Sequence, residues 1–484
     1  MGKRVYIYTV GCQMNELDSQ LVAELLSQIG YEVVDSARKA DVILFNTCSV
    51  RQHAEDKIYS ALGALRRLKE RRGQTIGVLG CMAQKDGQEI FRRAPHVDLV
   101  VGPGRLRHLP ELLEQVAAGA GPVLAVSPWS ETADRQTLLA GFEPFDPPRR
   151  PQSVPPSRQA YVRIMSGCNK ACSYCVVPRV RGPEQCRPPE EILQEVRQLV
   201  DGGCLEVTLL GQTVNSYRYR SGGRTVRLAD LLAQIHEIPG LERIRFVTNH
   251  PRHMTDDVLQ AVRDLPKVCP YFHVPTQSGS NAVLRRMGRG YTAEFYREML
   301  ARIRQTVPEP AISSDFIVGF CGETEEDFQQ TVRLVEEARF KNAYIFKYSP
   351  RPGTKAAQCY PDDVPLEVKR RRNNLLLQIQ NQISLEENQK FIGRQVQVLV
   401  EGPSKLGQKS PETQSAVQLT GRTRCDRIVA FVGHRRLIGQ FCTIRITQAT
   451  PTTLIGELEE TSTFASAPTA KEISLPVISI PTPY

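Results

Sequence analysis

The chain carries one tryptophan and eight histidines in 484 residues, and its aromatic content is only 7%. Long apolar runs are also missing. Nothing approaches the roughly 18 residues a membrane-spanning helix needs, and the longest clean stretches, Val42–Phe45 and Val396–Val400, are strand-sized. A secretory leader is not legible either. Met1-Gly2-Lys3-Arg4 is basic, but only Val5–Val10 is apolar before Gly11-Cys12, too short for a signal core, so a cytoplasmic location is expected. With 41% hydrophobic and 24% charged residues, wholesale disorder is excluded. At roughly 150 residues per domain, the length predicts about three domains.

The formal net charge is +10, a modest excess that suits an anionic partner without demanding one. Its distribution says more. Residues 390–459 hold ten basic and five acidic side chains, so half the excess lies in a small part of the chain. Thirteen cysteines are many, and the number is odd. In a reducing compartment, metal ligation or catalysis explains them better than disulfides do.

Residues 1–141 alternate between strand and helix patterns. Val5–Val10, Val42–Phe45, Ile76–Leu79 and Val97–Val101 are apolar strands; Leu17, Leu21, Leu25 and Ile29 recur at helical spacing, and a basic amphipathic helix runs to about Arg71. Apolar strands alternating with helices predict an α/β fold with a doubly wound parallel sheet. Six prolines (Pro144, Pro147, Pro148, Pro151, Pro155 and Pro156) make residues 142–159 a linker. Across residues 160–388 six strands, each followed by a helix, predict a partial (β/α)6 barrel: Tyr161–Met165, Leu205–Leu210, Ile244–Thr248, Tyr271–Val274, Ile312–Val318 and Ala343–Lys347. Residues 389–459 read as five short strands of a small OB-like β-barrel. The Ser/Thr/Pro-rich tail, residues 460–484, is expected to be disordered.

The densest chemical signal is Cys168-Asn169-Lys170-Ala171-Cys172-Ser173-Tyr174-Cys175, directly after the first barrel strand. A structural zinc site closes with four ligands in paired spacings, and no fourth thiolate is near in sequence. Three cysteines on a 4Fe-4S cluster would instead leave one iron open to a small molecule. This C-x3-C-x2-C run, with Tyr174 before its last cysteine, resembles the radical S-adenosylmethionine (SAM) superfamily. The second signal is dispersed. Cys12, Cys48 and Cys81 lie 36 and 33 residues apart, each just past the C-terminal end of a parallel strand. Doubly wound sheets build their sites on that edge. One such cysteine reads as core; three at the same topological point favour a second three-thiolate cluster. Cys186, Cys204, Cys269, Cys321, Cys359, Cys425 and Cys442 lack mutual spacing and read as packing.

With both sets in view, the chain resembles the MiaB family of radical SAM methylthiotransferases from Lys3 to about Glu459. The resemblance rests on Gly11-Cys12-Gln13-Met14-Asn15 with Asp18-Ser19, Asn46-Thr47-Cys48-Ser49-Val50-Arg51 with Ala54-Glu55-Asp56-Lys57, and Gly80-Cys81-Met82-Ala83-Gln84. It continues through Gln277-Ser278-Gly279-Ser280, Ser314-Asp315-Phe316-Ile317-Val318-Gly319-Phe320 and Tyr348-Ser349-Pro350-Arg351-Pro352-Gly353-Thr354. Cys321 stands where the family usually has proline, and Thr213, Thr276 and Cys186 also depart from its commonest residues.

The resemblance implies addition of a methylthio group to carbon 2 of N6-dimethylallyladenosine next to the anticodon of tRNA, with two SAM molecules used per turnover. Cys168, Cys172 and Cys175 would hold the radical SAM 4Fe-4S cluster, and Cys12, Cys48 and Cys81 an auxiliary 4Fe-4S cluster. Tyr174, Gly211, Gln212 and Gly319 are the expected SAM neighbours, each with a turn or packing role as the competing reading. Arg179 and Arg181 could meet phosphate. Residues 389–459 resemble a TRAM domain, in which Arg422, Arg424, Arg427, Arg435 and Arg436 are the expected RNA contacts, while Phe431 and Phe441 read as core. Implied partners are tRNA, an electron donor and a sulfur source of unknown identity; there is no membrane partner, and a monomer is the simplest state. Three alternatives stay open: a ribosomal-protein aspartate as acceptor, threonylcarbamoyl-adenosine in tRNA as acceptor, or a non-catalytic RNA-binding iron–sulfur protein.

Overall fold

The computed structural model describes residues 2–49, 52–129, 134–149, 157–410 and 416–459. The tail at 460–484 and three of the six linker prolines lie outside those residues. Among the described residues, no helix is long and apolar enough to cross a membrane.

The first module is a six-stranded parallel sheet: β1 (Arg4–Val10), β2 (Glu32–Val33), β3 (Val42–Thr47), β4 (Thr75–Gly80), β5 (Leu99–Val101) and β6 (Val123–Ala125), in the order β2-β1-β3-β4-β5-β6. Every residue of β3 is buried because helices cover both faces. On one face Leu17, Leu21 and Leu26 of helix Gln13–Gln28 pack with Leu109 and Leu113. On the other, Ile58 and Leu62 of helix Gln52–Arg72 pack with Ile90. The two edge strands β2 and β6 were not legible in the sequence; they are two and three residues long, too short to show a period.

The segment read as a linker is docked rather than free. Phe142 and Phe145 are buried, and the Asp146 carboxylate lies 3.0 Å from the Arg163 guanidinium. Arg149 reaches Glu195 at 3.0 Å. Proline ends regular structure there, but aromatic and charged neighbours fasten the chain to both flanking modules.

The central module begins with β7 (Gln159–Arg163). A short antiparallel ladder, β8 (Met165–Ser166) with β9 (Gln185–Cys186), follows it. Then come β10 (Glu206–Leu210), the exposed hairpin β11 (Arg218–Ser221) and β12 (Arg224–Arg227), β13 (Arg243–Phe246), β14 (Tyr271–His273), β15 (Ala311–Val318) and β16 (Asn342–Lys347). Strands β13-β10-β7 and β14-β15-β16 form two parallel triplets, which a single bridge from Ile244 to Val268 brings together. Along each strand the residues alternate. Val207, Leu209, Ile244, Phe246, Phe272, Ile312 and Phe316 join the helix-side core, which turns Glu206, Arg243, Arg245, His273, Ser313 and Asp315 toward the lumen.

Helix Leu366–Gln389 leads to a closed barrel of β17 (Gln395–Pro403), β18 (Ala416–Thr423), β19 (Ile428–His434), β20 (Phe441–Ala449) and β21 (Thr453–Leu458), ordered β17-β18-β19-β21-β20. Its turn between β18 and β19 plugs the start of the central strands. Arg243 donates to the carbonyls of Arg422 (2.9 Å) and Gln397 (3.0 Å), and Arg245 to those of Thr423 (2.7 Å) and Arg424 (3.2 Å). Lys341 Nζ meets Asp426 Oδ2 at 2.8 Å.

This docking corrects the expected RNA contacts. Arg427 is buried, donates to Asn388 Oδ1 at 3.0 Å and covers the Phe391 ring. Arg424 donates to the Val268 carbonyl at 3.0 Å, and Arg422 pairs with Glu401 and Asp426, each at 3.1 Å. The guanidinium groups of Arg424 and Arg427 tie the barrel to the central module, while that of Arg422 is paired within the barrel itself. Arg436 is exposed and Arg435 half-buried. Phe431 is buried in the barrel core, and Phe441 lies under Arg243 with 4.6 Å from guanidinium to ring centre.

Candidate functional site

Cys12, Cys48 and Cys81 each follow the end of one of three neighbouring strands, β1, β3 and β4. The pairings Val10 with Thr47 and Thr47 with Gly80 set those ends level across the sheet. Cys12 is exposed and opens helix Gln13–Gln28, while Cys48 and Cys81 are buried. Amides brace the loops that carry them: Asn15 Nδ2 donates to Asn46 Oδ1 (3.1 Å) and to the Thr47 carbonyl (3.1 Å), and Asn46 Nδ2 donates to the Asn15 carbonyl (2.8 Å). The Cys12 thiol donates to Asn15 Oδ1 at 3.3 Å. A hydrogen bond with Cys48, with the Arg181 charge acting the same way, lowers the Cys12 thiol to about 6. Burial raises Cys81 despite Arg181 beside it.

The loop carrying Cys168, Cys172 and Cys175 is pinned at its base by the β8–β9 ladder. Gly167 precedes it with φ of 74°, and a Cβ there would stand 2.0 Å from the Pro183 carbonyl oxygen. Farther along, Ser173 N–H donates to the Met287 carbonyl (2.9 Å) and Ser173 Oγ to that of Arg286 (2.7 Å). Arg289 Nη1 donates to Cys172 Sγ at 3.4 Å. Burial, then the neighbouring Cys172, pushes Cys175 up to about 12. Among the described residues, no group of three His, Cys, Asp or Glu side chains is placed to hold a metal ion.

The two triads adjoin. Cys81 packs against Val176, the residue after Cys175, and against Val180. Arg181 completes the junction: its Nε donates to Cys81 Sγ at 3.3 Å, and its Nη2 lies 2.7 Å from Asp18 Oδ2. Arg163 meets the other Asp18 oxygen at 3.1 Å. Arg181 is thus a buried tie between modules and has no surface for phosphate. Arg179 is half-buried and donates to the Gly353 carbonyl. No spacing signal could have revealed these ties, because Asp18 and Arg181 are far apart in sequence.

The expected SAM neighbours occupy the same C-terminal strand ends. Tyr174 meets Phe320 edge-on with ring centres 6.4 Å apart. Gly211 makes room for a side chain, since a Cβ would stand 2.4 Å from Met165 Cγ. Gly319, at φ of 67°, donates to Glu323 Oε2 and lies under Lys369, whose Cγ is 2.3 Å from where a Cβ would be. Local packing therefore accounts for both glycines. Gln212 differs: its Oε1 is buried without a hydrogen-bond partner among the described residues, as is Asn249 Oδ1 past the end of β13. Buried acceptors without partners at one rim fit a polar ligand. Deeper in the lumen, His273 Nδ1 and Tyr271 hydroxyl share Ser313 Oγ at 2.9 and 2.8 Å, and Asp315 lies 3.4 Å from His273 Nε2.

Three family models match this architecture: "Uncharacterized protein family UPF0004" over residues 4–102, "Radical SAM superfamily" over residues 162–335 and "TRAM domain" over residues 389–458. A tRNA-2-methylthio-N(6)-dimethylallyladenosine synthase of Rhodopirellula baltica (strain DSM 10527 / NCIMB 13988 / SH1) is 56% identical over 460 residues, 95% of this chain and 96% of that relative. The chain belongs to the tRNA-2-methylthio-N(6)-dimethylallyladenosine synthase family. Another synthase of this name, from Acidovorax sp. (strain JS42), is 47% identical over 464 residues, 95% of this chain and 98% of that relative. Among solved structures, the radical SAM methyltransferase TsrM from Kitasatospora setae, with cobalamin and a [4Fe-4S] cluster bound, aligns at a TM-score of 0.51 and 14% identity. That alignment spans 74% of this chain and 77% of TsrM, and it bears on the fold alone. As a radical SAM member of the synthase family, the chain takes a 4Fe-4S cluster and SAM as cofactors. The three thiols of the pinned loop and the unpartnered acceptors beside it fit that pair.

Proposed function

We propose that this chain is a radical SAM methylthiotransferase that replaces the hydrogen on carbon 2 of N6-dimethylallyladenosine at position 37 of tRNA, next to the anticodon, with a methylthio group, using two SAM per turnover. One observation carries the reading: a second three-thiol set, Cys12, Cys48 and Cys81, is joined to the loop of Cys168, Cys172 and Cys175 through Cys81, Val176 and Arg181. A carbon-bound hydrogen that is neither acidic nor a leaving group is beyond acid–base side chains, so cofactors must supply the chemistry. When bound, the two 4Fe-4S clusters and SAM supply one-electron chemistry and sulfur. Cys168, Cys172 and Cys175 would hold the cluster that meets SAM, and Cys12, Cys48 and Cys81 the auxiliary cluster.

The other residues position and insulate. Arg289 and Arg181 direct N–H groups at the sulfurs of Cys172 and Cys81. Gln212 and Asn249 offer acceptors for the polar end of SAM, beside Tyr174. The His273, Ser313 and Asp315 set gives the lumen a polar wall against which a base can be oriented. tRNA, an electron donor and a sulfur source complete the reaction; a monomer in the cytoplasm is the arrangement we propose. Reconstituted protein, reductant and SAM, incubated anaerobically with tRNA bearing dimethylallyl-adenosine, should give a methylthio mass gain on that nucleoside after digestion. Release of 5′-deoxyadenosine without that gain would keep the radical enzyme but sink this substrate. Gain on a ribosomal protein would replace it.

A further inference from the structure

With Arg422, Arg424 and Arg427 committed to contacts inside the chain, the cations left for a polyanion lie elsewhere. The hairpin β11–β12 carries Arg218, Arg220, Arg224 and Arg227, all exposed. Tyr219 and Val226 are paired across it and pack on the core of the central module. Alternation then places Arg218, Arg220 and Arg227 together on the outward face. Arg218 stands directly opposite Arg227. Like charges so placed oppose strand pairing, and among the described residues none of the four has an ion-pair partner to offset that repulsion. Asp230 accepts from the Arg227 backbone N–H at 2.8 Å, and Glu184 accepts from the Ser216 and Thr213 hydroxyls at 3.3 and 3.4 Å.

The hairpin also adjoins the candidate site. The Arg218 N–H faces the Cys186 thiol on β9, the far limb of the ladder that pins the Cys168–Cys175 loop. From there the surface continues through exposed Arg252 to Lys170, whose Nζ lies 2.7 Å from Nε2 of the half-buried His253. Burial, then the charges of Lys170, Arg252 and Arg218, pushes the His253 imidazole down to about 4, so it is neutral at physiological pH.

We propose that the outward face of the β11–β12 hairpin, continued by Arg252 and Lys170, is the surface that grips the phosphate backbone of the RNA substrate. The proposal rests on the RNA-modifying reading above. Alternate residues on a strand repeat at roughly 6–7 Å, comparable to neighbouring phosphates along one RNA strand. Guanidinium groups suit phosphate by their forked, always charged donors. A rigid ladder beside the loop would hold the RNA while its modified base enters the lumen.

The test is RNA binding by the full chain, with a synthetic anticodon stem-loop bearing dimethylallyl-adenosine, measured by fluorescence anisotropy across a salt series. Three proteins are compared with wild type: Arg218→Ala/Arg220→Ala/Arg227→Ala, the same three sites changed to lysine, and Arg435→Ala/Arg436→Ala. The alanine triple variant should bind at least about tenfold more weakly at 0.15 M salt, with the slope of log affinity against log salt reduced by about two to three. The lysine variant should keep most of that slope. Circular dichroism and a thermal melt confirm folding. An unchanged slope in the triple variant, or a loss confined to Arg435→Ala/Arg436→Ala, overturns the proposal while leaving the enzymatic reading intact. Absence of salt-dependent RNA binding by wild type would instead overturn the RNA reading, and this surface with it.

Discussion

Arg181, on the central module, holds the first module at two points, with the Cys81 thiol on one nitrogen and the Asp18 carboxylate on another. Buried pairs of this kind cost much when halved, because the remaining charge has no solvent to turn to. Arg181→Ala should lower the free energy of unfolding by about 3–5 kcal/mol, read from denaturant midpoints. Arg181→Lys keeps the charge but loses the fork that serves both partners. It should retain more stability than the alanine variant yet form less methylthio product per 5′-deoxyadenosine released; equal ratios in variant and wild type would remove Arg181 from the chemistry. At this scale the sequence was informative about cysteines and poor on arginines. The cysteines announce themselves by spacing and by following strands. An arginine reads alike whether it meets phosphate, as was expected of Arg181 and Arg427, or is folded inward against partners remote in sequence.

Elements decide where these side chains meet. Three neighbouring strands end level, so Cys12, Cys48 and Cys81 gather without any local motif. That much followed from apolar strand runs. The hairpin β11–β12 did not, because its residues are polar and its strands are four residues each. Nor did the plug made by the turn after β18, which needs its acceptor strands in place. Within that plug, burial pushes the Asp426 carboxyl up, but Lys341, Arg422 and Arg245 outweigh it and hold the group well below its ordinary 3.8. A depressed carboxyl contributes stability above its unfolded value and loses it as pH falls through the folded one. The terminal barrel should therefore stay docked from neutrality to about pH 4 and loosen below, seen as faster proteolysis between the modules. Asp426→Asn should abolish that acid limb and cost about 3 kcal/mol at neutral pH. An acid limb unchanged in the variant would assign the effect to other carboxylates.

Across the whole molecule, three modules legible in sequence order become one site only through contacts the sequence does not print: the docked Phe142–Arg149 segment, the Asp18–Arg163–Arg181 cluster and the plug beneath the lumen. We propose that the first module brings a second cluster up to that of the central module. Iron and sulfide per chain, with Mössbauer spectra, are to be measured in anaerobically reconstituted wild type, Cys81→Ala and Cys168→Ala. Two clusters are expected in wild type and one in each variant, with the two variants missing different ones. Two full clusters in Cys81→Ala, or a single cluster in wild type that Cys168→Ala removes entirely, would contradict it.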